Sequence, residues 1–405
     1  MELIAKIYLT YMFISLYFFF FFITLYIKNK NRMFDYPKTT RKYSVSVLIP
    51  AYNEEDSIKG TVEAVLKSDY KNILEIIVIN DGSTDNTRKI VEGVMKKNKL
   101  VKILNKKNSG KADSINQALK IAKGELVVIM DADSYICSDA IGKMIGFFDD
   151  KDVASVTGRI LVKNKDKMLE KLQASEYAMI AFSRKLLEFV EGIWVTPGAL
   201  SMYRKDALLK VGGFDVKNIT EDVEITWRLI KNGYKIRMCL AAGTYTIVPN
   251  RAKKWWRQRI RWDIGGIQTV LKYKSEMLKK GSLGYFIVPL FTTSMFLGLF
   301  GLSVFFYLSI RRLLLMYQVT HTSFISNVPL LTMNNIYITV TVLNFFGIVV
   351  FLLGLYLTLT GLKTINPGIK KSFFNLLIYL CLYLSVYPTV LLVSVYKILR
   401  KDIKW

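Results

Sequence analysis

Histidine is nearly absent from this 405-residue chain; the only one is His321. A Ser-His-Asp triad, an HExxH zinc site or a relay through imidazole therefore has almost no material to work with. If the chain is an enzyme, its general base is a carboxylate. Cysteine is nearly as scarce. Cys137, Cys239 and Cys381 form no CxxC pair, which argues against a thiolate zinc site or a disulfide scaffold. Two phosphate-binding patterns are also missing. No GxxxxGK[ST] occurs, and no GxGxxG follows the first apolar run, so neither a P-loop nor a dinucleotide fingerprint is available. Acid is short relative to base, with 32 Asp+Glu against 57 Lys+Arg and a net charge of +25. That excess suits either nucleic acid or the anionic face of a membrane.

The distribution of apolar residues decides for the membrane. Hydrophobic residues make up 52% of the chain beside 22% charged ones, and the two are segregated. Residues 7–27, 281–310, 313–362 and 372–396 contain no Lys, Arg, Asp or Glu. A helix of about 20 apolar residues crosses the hydrocarbon core, so the chain reads as an integral, multi-pass protein of the cell membrane. The first run is too long for a signal-peptide core and no small-x-small cleavage site follows it. Its basic flank, Lys28 to Arg32, marks the cytoplasmic side.

Four parts are expected. Residues 1–32 form an N-terminal membrane anchor, 41–250 a cytoplasmic catalytic domain, 251–282 a basic aromatic segment along the membrane surface, and 283–405 a region of about three spans. We place those spans near 285–310, 336–360 and 373–398. Four spans in all put the basic tail LRKDIKW outside, against the positive-inside tendency; a fifth or re-entrant segment within 313–335 would bring it inside.

Between the anchor and the later spans, short apolar runs at 44–50, 74–80, 101–105 and 125–130 alternate with helical patterns at 54–67, 85–97 and 111–123. Strands alternating with helices of this length indicate βαβ units and a mostly parallel α/β sheet. The second half is less regular. Residues 166–191 read as a helix, 194–204 as strand-like but broken at Pro197-Gly198, and a further helix starts near Thr220.

In an open α/β sheet, ligands bind beyond the carboxyl ends of the strands. This chain puts polar residues there each time: Tyr52-Asn53-Glu54 after the first strand, Asp81 at the end of the second, Lys111 after the third, and Asp131-x-Asp133 after the fourth. A lone DxD is more often a solvated turn. Next to Asp81 the pair can reach a hard cation, Mg²⁺ or Mn²⁺, and leave other positions for phosphate and water. Thr220-Glu221-Asp222 is either a capped helix start, with acids favoured by the dipole, or a source of the general base. Gln258-x-x-Arg261-Trp262 places three residues on one helix face, where Gln and Arg can bind oxygens and the indole can stack on a sugar. The alternatives are a basic surface helix, with Arg251, Lys253, Lys254, Arg257 and Arg259 nearby, or nucleic-acid binding. The adjacent membrane span argues against nucleic acid as a partner.

In this order, Asp81, Asp131-x-Asp133, Thr220-Glu221-Asp222 and Gln258-x-x-Arg261-Trp262, flanked by spans, resemble the processive family 2 glycosyltransferases: the hyaluronan, chitin, cellulose and poly-N-acetylglucosamine synthases. TPGALSMYR (196–204) is similar to a stretch of the chitin and hyaluronan synthases. The resemblance covers residues 44–262 and implies a GT-A fold that takes a UDP-sugar, UDP-GlcNAc first, and extends a β-linked polysaccharide. It implies that Tyr52, Asn53, Glu54 and Asp81 contact the uridine part and that Asp131 faces the nucleotide with Lys111 near it. Asp131 and Asp133 would hold the metal, with Glu221 lining the substrate site. Asp222 would deprotonate the acceptor, Gln258 and Arg261 would hold the diphosphate, and Trp262 would form the acceptor floor. The acceptor is a polysaccharide or, in a non-processive enzyme, a lipid. An accessory subunit or a homo-oligomer would complete an export path if one chain is not enough.

Overall fold

The computed structural model describes residues 2–326, 342–366 and 373–402. Eight strands form one sheet: β1 (Val45–Ala51), β2 (Ile73–Asp81), β3 (Val101–Lys106), β4 (Leu126–Ile129), β5 (Ser134–Ile136), β6 (Val153–Val162), β7 (Ser201–Arg204) and β8 (Lys235–Thr246), in the spatial order β3-β2-β1-β4-β7-β6-β8-β5. The βαβ half is as expected, with β1 parallel to both β2 and β4 and β2 parallel to β3. Its crossovers are α2 (Ile58–Leu66), α3 (Thr87–Lys97) and α4 (Lys111–Ile121). Every residue of β1 is buried, because helices cover both faces and leave no face for water. Val45, Val47 and Ile49 pack with Ile58, Val62 and Val65 on one face, whereas Leu48, Ile77 and Ile79 pack with Ile115 and Leu119 on the other.

The irregular half departs from the sequence reading. The strand-like stretch 194–204 forms a strand only over Ser201–Arg204, which runs antiparallel to both β4 and β6. Pro197 and Gly198 precede it as a loop, as proline cannot donate to a ladder. Strand β5 and its long partner β8 also pair antiparallel. Strands β6 and β8 restore a parallel pairing, so the sheet is mostly parallel. Helix α5 (Ala140–Ile145) covers one face with α2. Helices α6 (Met168–Glu188), α7 (Lys205–Lys210) and α8 (Glu221–Lys231) cover the other.

Four helices among the described residues are long and apolar enough to cross a membrane. They contain α1 (Glu2–Asn29), α10 (Val288–Ser326), α11 (Val342–Ile365) and the segment of α12 (Phe373–Ile378) and α13 (Tyr387–Leu399). Helix α10 does not stop near 310 as expected. It continues through Arg311 and Arg312 for 39 residues, about 58 Å at the α-helical rise and well beyond the hydrocarbon thickness. Helix formation needs only local hydrogen bonds, and no Gly or Pro interrupts 302–326. The expected segment 313–335 is helical as far as 326; residues 327–335, like 336–341 of the third span, lie outside the described residues. Helix α9 (Ala252–Tyr273) joins the halves, packing on α8, α10 and α13. Gly265 lets it seat against the start of α8, since a Cβ there would stand 2.2 Å from Thr220 Oγ1.

Candidate active site

A cavity of about 680 Å³ opens at the carboxyl ends of β1, β2 and β4 and runs to the membrane helices. Tyr52, Glu54, Asp81, Lys111, Asp131, Asp133, Glu221, Asp222, Gln258, Arg261 and Trp262 all line it. Residues more than 200 positions apart in sequence thus share one chamber. Asn53 does not line it. Its backbone adopts φ 55°, and its Oδ1 accepts hydrogen bonds from Thr84 N at 2.8 Å and Thr84 Oγ1 at 3.2 Å. Asn53 therefore ties the loop after β1 to the loop after β2, and its expected uridine contact is not supported by this arrangement.

Asp81 lines the cavity, but its carboxylate is engaged by protein. Lys106 Nζ lies 2.5 Å from Oδ1, Ser109 N donates to Oδ1 at 3.0 Å, and Gly110 N donates to Oδ2 at 2.9 Å. The positive φ of Gly110, 93°, belongs to the turn that presents these two amides. In this geometry Asp81 shapes the loop that carries Lys111 rather than joining a cation with Asp131 and Asp133.

Lys111 is the hub of the polar end. Its Nζ lies 2.5 Å from Asp131 Oδ1 and 3.1 Å from Glu221 Oε1. Burial pulls its pKa down, but Asp131, Glu221 and Asp222 outweigh burial and raise it overall. Gly198 permits this approach: a Cβ there would meet Lys111 Nζ at 2.3 Å and Asp131 Oδ1 at 2.8 Å. The acids around it are under opposite stress. Burial, with Asp131 and Glu54 beside it, pushes Asp133 up to about 7. Burial likewise pushes Glu54 up, against a hydrogen bond from Ser57. Burial and Glu221 raise Asp222 to about 6, against Lys111. A carboxylate titrating near neutrality is suited to accept a proton.

Crowded carboxylate oxygens without enough positive charge match the donor set of a hard divalent cation. Asp131 and Asp133 are the residues that fit. Among the described residues no group of three or more His, Cys, Asp or Glu could hold a metal by itself. The remaining positions would therefore fall to a ligand, as is usual where Mg²⁺ meets phosphate.

At the far end, α9 presents Gln258, Arg261 and Trp262 to the cavity, and α10 and α13 close it with Phe291, Met295 and Tyr387. Four features here escaped the sequence reading. Arg259, expected on a basic surface, is 1% exposed. Its Nη2 lies 2.5 Å from Glu176 Oε2, its Nε donates to Tyr387 Oη at 2.8 Å, and its Nη1 donates to Gln258 Oε1 at 2.9 Å. Tyr383 Oη donates to Glu176 Oε2 at 2.5 Å, Tyr387 donates to Oε1, and Trp255 Nε1 donates to Tyr383 Oη at 2.7 Å. The Arg259 guanidinium also sits 4.0 Å from the Trp262 ring centroid. The others are Arg184 of α6, Tyr177 of α6 and Asp263 of α9, which, unlike Arg259, line the cavity. The available signal was the placement of Glu176 and Arg184 on the face of α6 that also carries Leu172, Ile180 and Leu187. Charges on an apolar helical face call for a partner or a ligand.

The Glycosyl transferase family 2 model matches residues 46–212. The poly-beta-1,6-N-acetyl-D-glucosamine synthase of Staphylococcus aureus strain MSSA476 is 35% identical over 230 residues, 56% of each chain. Its counterpart in Staphylococcus epidermidis is 34% identical over 246 residues, 60% of each. The match spans little more than half the length of these relatives. Among solved structures, the mannosyltransferase PcManGT of Pyrobaculum calidifontis, in complex with GDP-Man and Mn²⁺, superposes with a TM-score of 0.62 at 19% identity over 98% of this chain and 99% of that one. The fold is GT-A-like, and residues 46–212 are a family 2 glycosyltransferase domain.

Proposed function

We propose that this chain, whose family 2 glycosyltransferase domain is flanked in sequence by membrane helices, transfers a sugar from a UDP-sugar to the growing end of a β-linked polysaccharide, with inversion and coupled to export. UDP-GlcNAc is the donor favoured by the relatives' names. The observation that carries this reading is the single cavity joining Lys111, Asp131 and Asp133 to Asp222, Trp262 and the membrane helices. The catalytic domain then faces the cytoplasm, where nucleotide sugars are made, and the polymer leaves along α10 and α13.

The division of labour follows from the residues. Asp131 and Asp133 would hold Mg²⁺ or Mn²⁺, which would supply charge stabilisation for the departing diphosphate. Lys111 and Arg261 meet the same negative charge. Trp262 offers its face to the acceptor sugar. Asp222 takes the proton from the attacking hydroxyl as that oxygen bonds the anomeric carbon and the diphosphate leaves with the bonding pair. One displacement inverts an α-linked donor to a β-linked product, with no covalent nucleophile required.

The apolar wall of Phe291 and Met295 supports a second reading, a single sugar added to a lipid acceptor. Purified protein in detergent with Mn²⁺ or Mg²⁺, offered UDP-GlcNAc, UDP-Glc and UDP-GlcA in turn, tests both. UDP release with one donor, lost in Asp222→Asn and accompanied by high-mass product, supports the polymerase. Product limited to one added sugar supports the lipid acceptor, and no release with any donor refutes both.

A further inference from the structure

Six buried side-chain atoms lack a hydrogen-bond partner among the described residues, and only Arg184 Nε and Asp263 Oδ2 belong to residues lining the cavity. Arg184 is 5% exposed. It stands on the cavity-facing stripe of α6, two turns beyond Tyr177. Burial lowers its pKa to about 10, with Asp222 opposing, so it remains a cation at neutral pH. Asp263 follows Trp262 on α9, and burial pushes it up to about 7, with Arg259 opposing. Nε of a buried guanidinium and Oδ2 of a half-buried carboxyl are thus left without partners, which is costly, and the two side chains sit on different walls of the same chamber.

We infer that Arg184 and Asp263 are the polar contacts of an uncharged saccharide acceptor, flanking the Trp262 floor. The inference rests on the proposed glycosyl transfer. The ligand class follows from charge. A phosphate or carboxylate would satisfy Arg184 but would be repelled by Asp222 and Asp263 wherever they are ionised, above about pH 6 and 7. A cation would satisfy Asp263 and be repelled by Arg184. A sugar offers both kinds of partner, hydroxyl and amide donors for the carboxyl and carbonyl, ring or hydroxyl oxygens for the guanidinium. The aromatic faces of Tyr177, Trp194 and Trp262 in the same lining suit its apolar ring faces.

Full-length protein in detergent is assayed with UDP-GlcNAc and short β-linked N-acetylglucosamine oligosaccharides. Arg184→Met and Asp263→Asn are each expected to raise the acceptor KM by roughly tenfold or more, as loss of a charge-assisted contact does. UDP affinity, measured on the same preparations, reports whether the donor end is folded. A KM changed less than twofold in either variant overturns the inference. So does a polyprenyl phosphate acceptor used better by Asp263→Asn and lost by Arg184→Met, which would mean an anionic acceptor. A wild type that releases UDP from no donor refutes the proposed function instead. Oligosaccharide binding followed by tryptophan fluorescence then still decides the saccharide site.

Discussion

Changing Glu176 to Leu should be far more damaging alone than together with Arg259→Met. In the native chain the Glu176 carboxylate is the only acid paired with Arg259 among the described ion pairs, at 2.5 Å, with side chains 7% and 1% exposed. It also accepts the hydroxyl protons of Tyr383 and Tyr387. Removing it leaves a buried guanidinium without a counter-charge, which costs about 3–5 kcal/mol, whereas replacing a buried pair by apolar residues of similar volume is often near neutral. The two tyrosines lose an acceptor in both variants, so that cost of about 1–3 kcal/mol per group cancels in the comparison. The coupling between the two changes should therefore be about 3 kcal/mol or more. Thermal unfolding in detergent at one scan rate reads it as a drop of several degrees in Glu176→Leu, largely recovered in the double variant. Equal losses in single and double variants would refute the reasoning, since the pair would then contribute nothing beyond its separate parts. Activity adds a second criterion. Arg259 Nη1 holds the Gln258 amide oxygen, so the stability-restored double variant should still have a lower kcat.

Other outcomes follow from the same cavity. Asp222→Asn should lower UDP release by roughly 10²-fold or more, the usual loss on removing a general base. The wild-type rate should rise with pH through about 6, where the folded Asp222 loses its proton; a rate that falls over that window contradicts its role as base. Gly265→Ala forces a Cβ against Thr220 and should cost about 1–3 kcal/mol by overpacking, with reduced kcat because α9 moves against the start of α8; unchanged melting and turnover would show that the contact is loose. Chelation by EDTA should abolish UDP release, with recovery on adding Mn²⁺ or Mg²⁺; full activity in EDTA would dismiss the assignment of Asp131 and Asp133.

Much of this protein is determined locally and is therefore open to sequence reading. The uncharged runs predict the membrane helices because lipid penalises each charge independently of the rest of the chain. Strands β1 to β4 are announced by short apolar runs rich in Val and Ile separated by helical patterns, and Asp131, Asp133, Asp222, Gln258, Arg261 and Trp262 stand out by their short spacings. The tertiary structure decides what depends on distant partners. Whether Arg259 lies on a wet surface or in a buried pair is decided by Glu176, 83 positions away. The role of Asn53 depends on Thr84 in another loop, and Asp81 is engaged by amides that only the turn at Gly110 presents. The short strand β7 exists because β4 and β6 flank it. Charge and hydrogen bonding act over a few ångströms in space with no regard for sequence separation, so only the folded chain shows that Arg184 and Asp263 face one cavity.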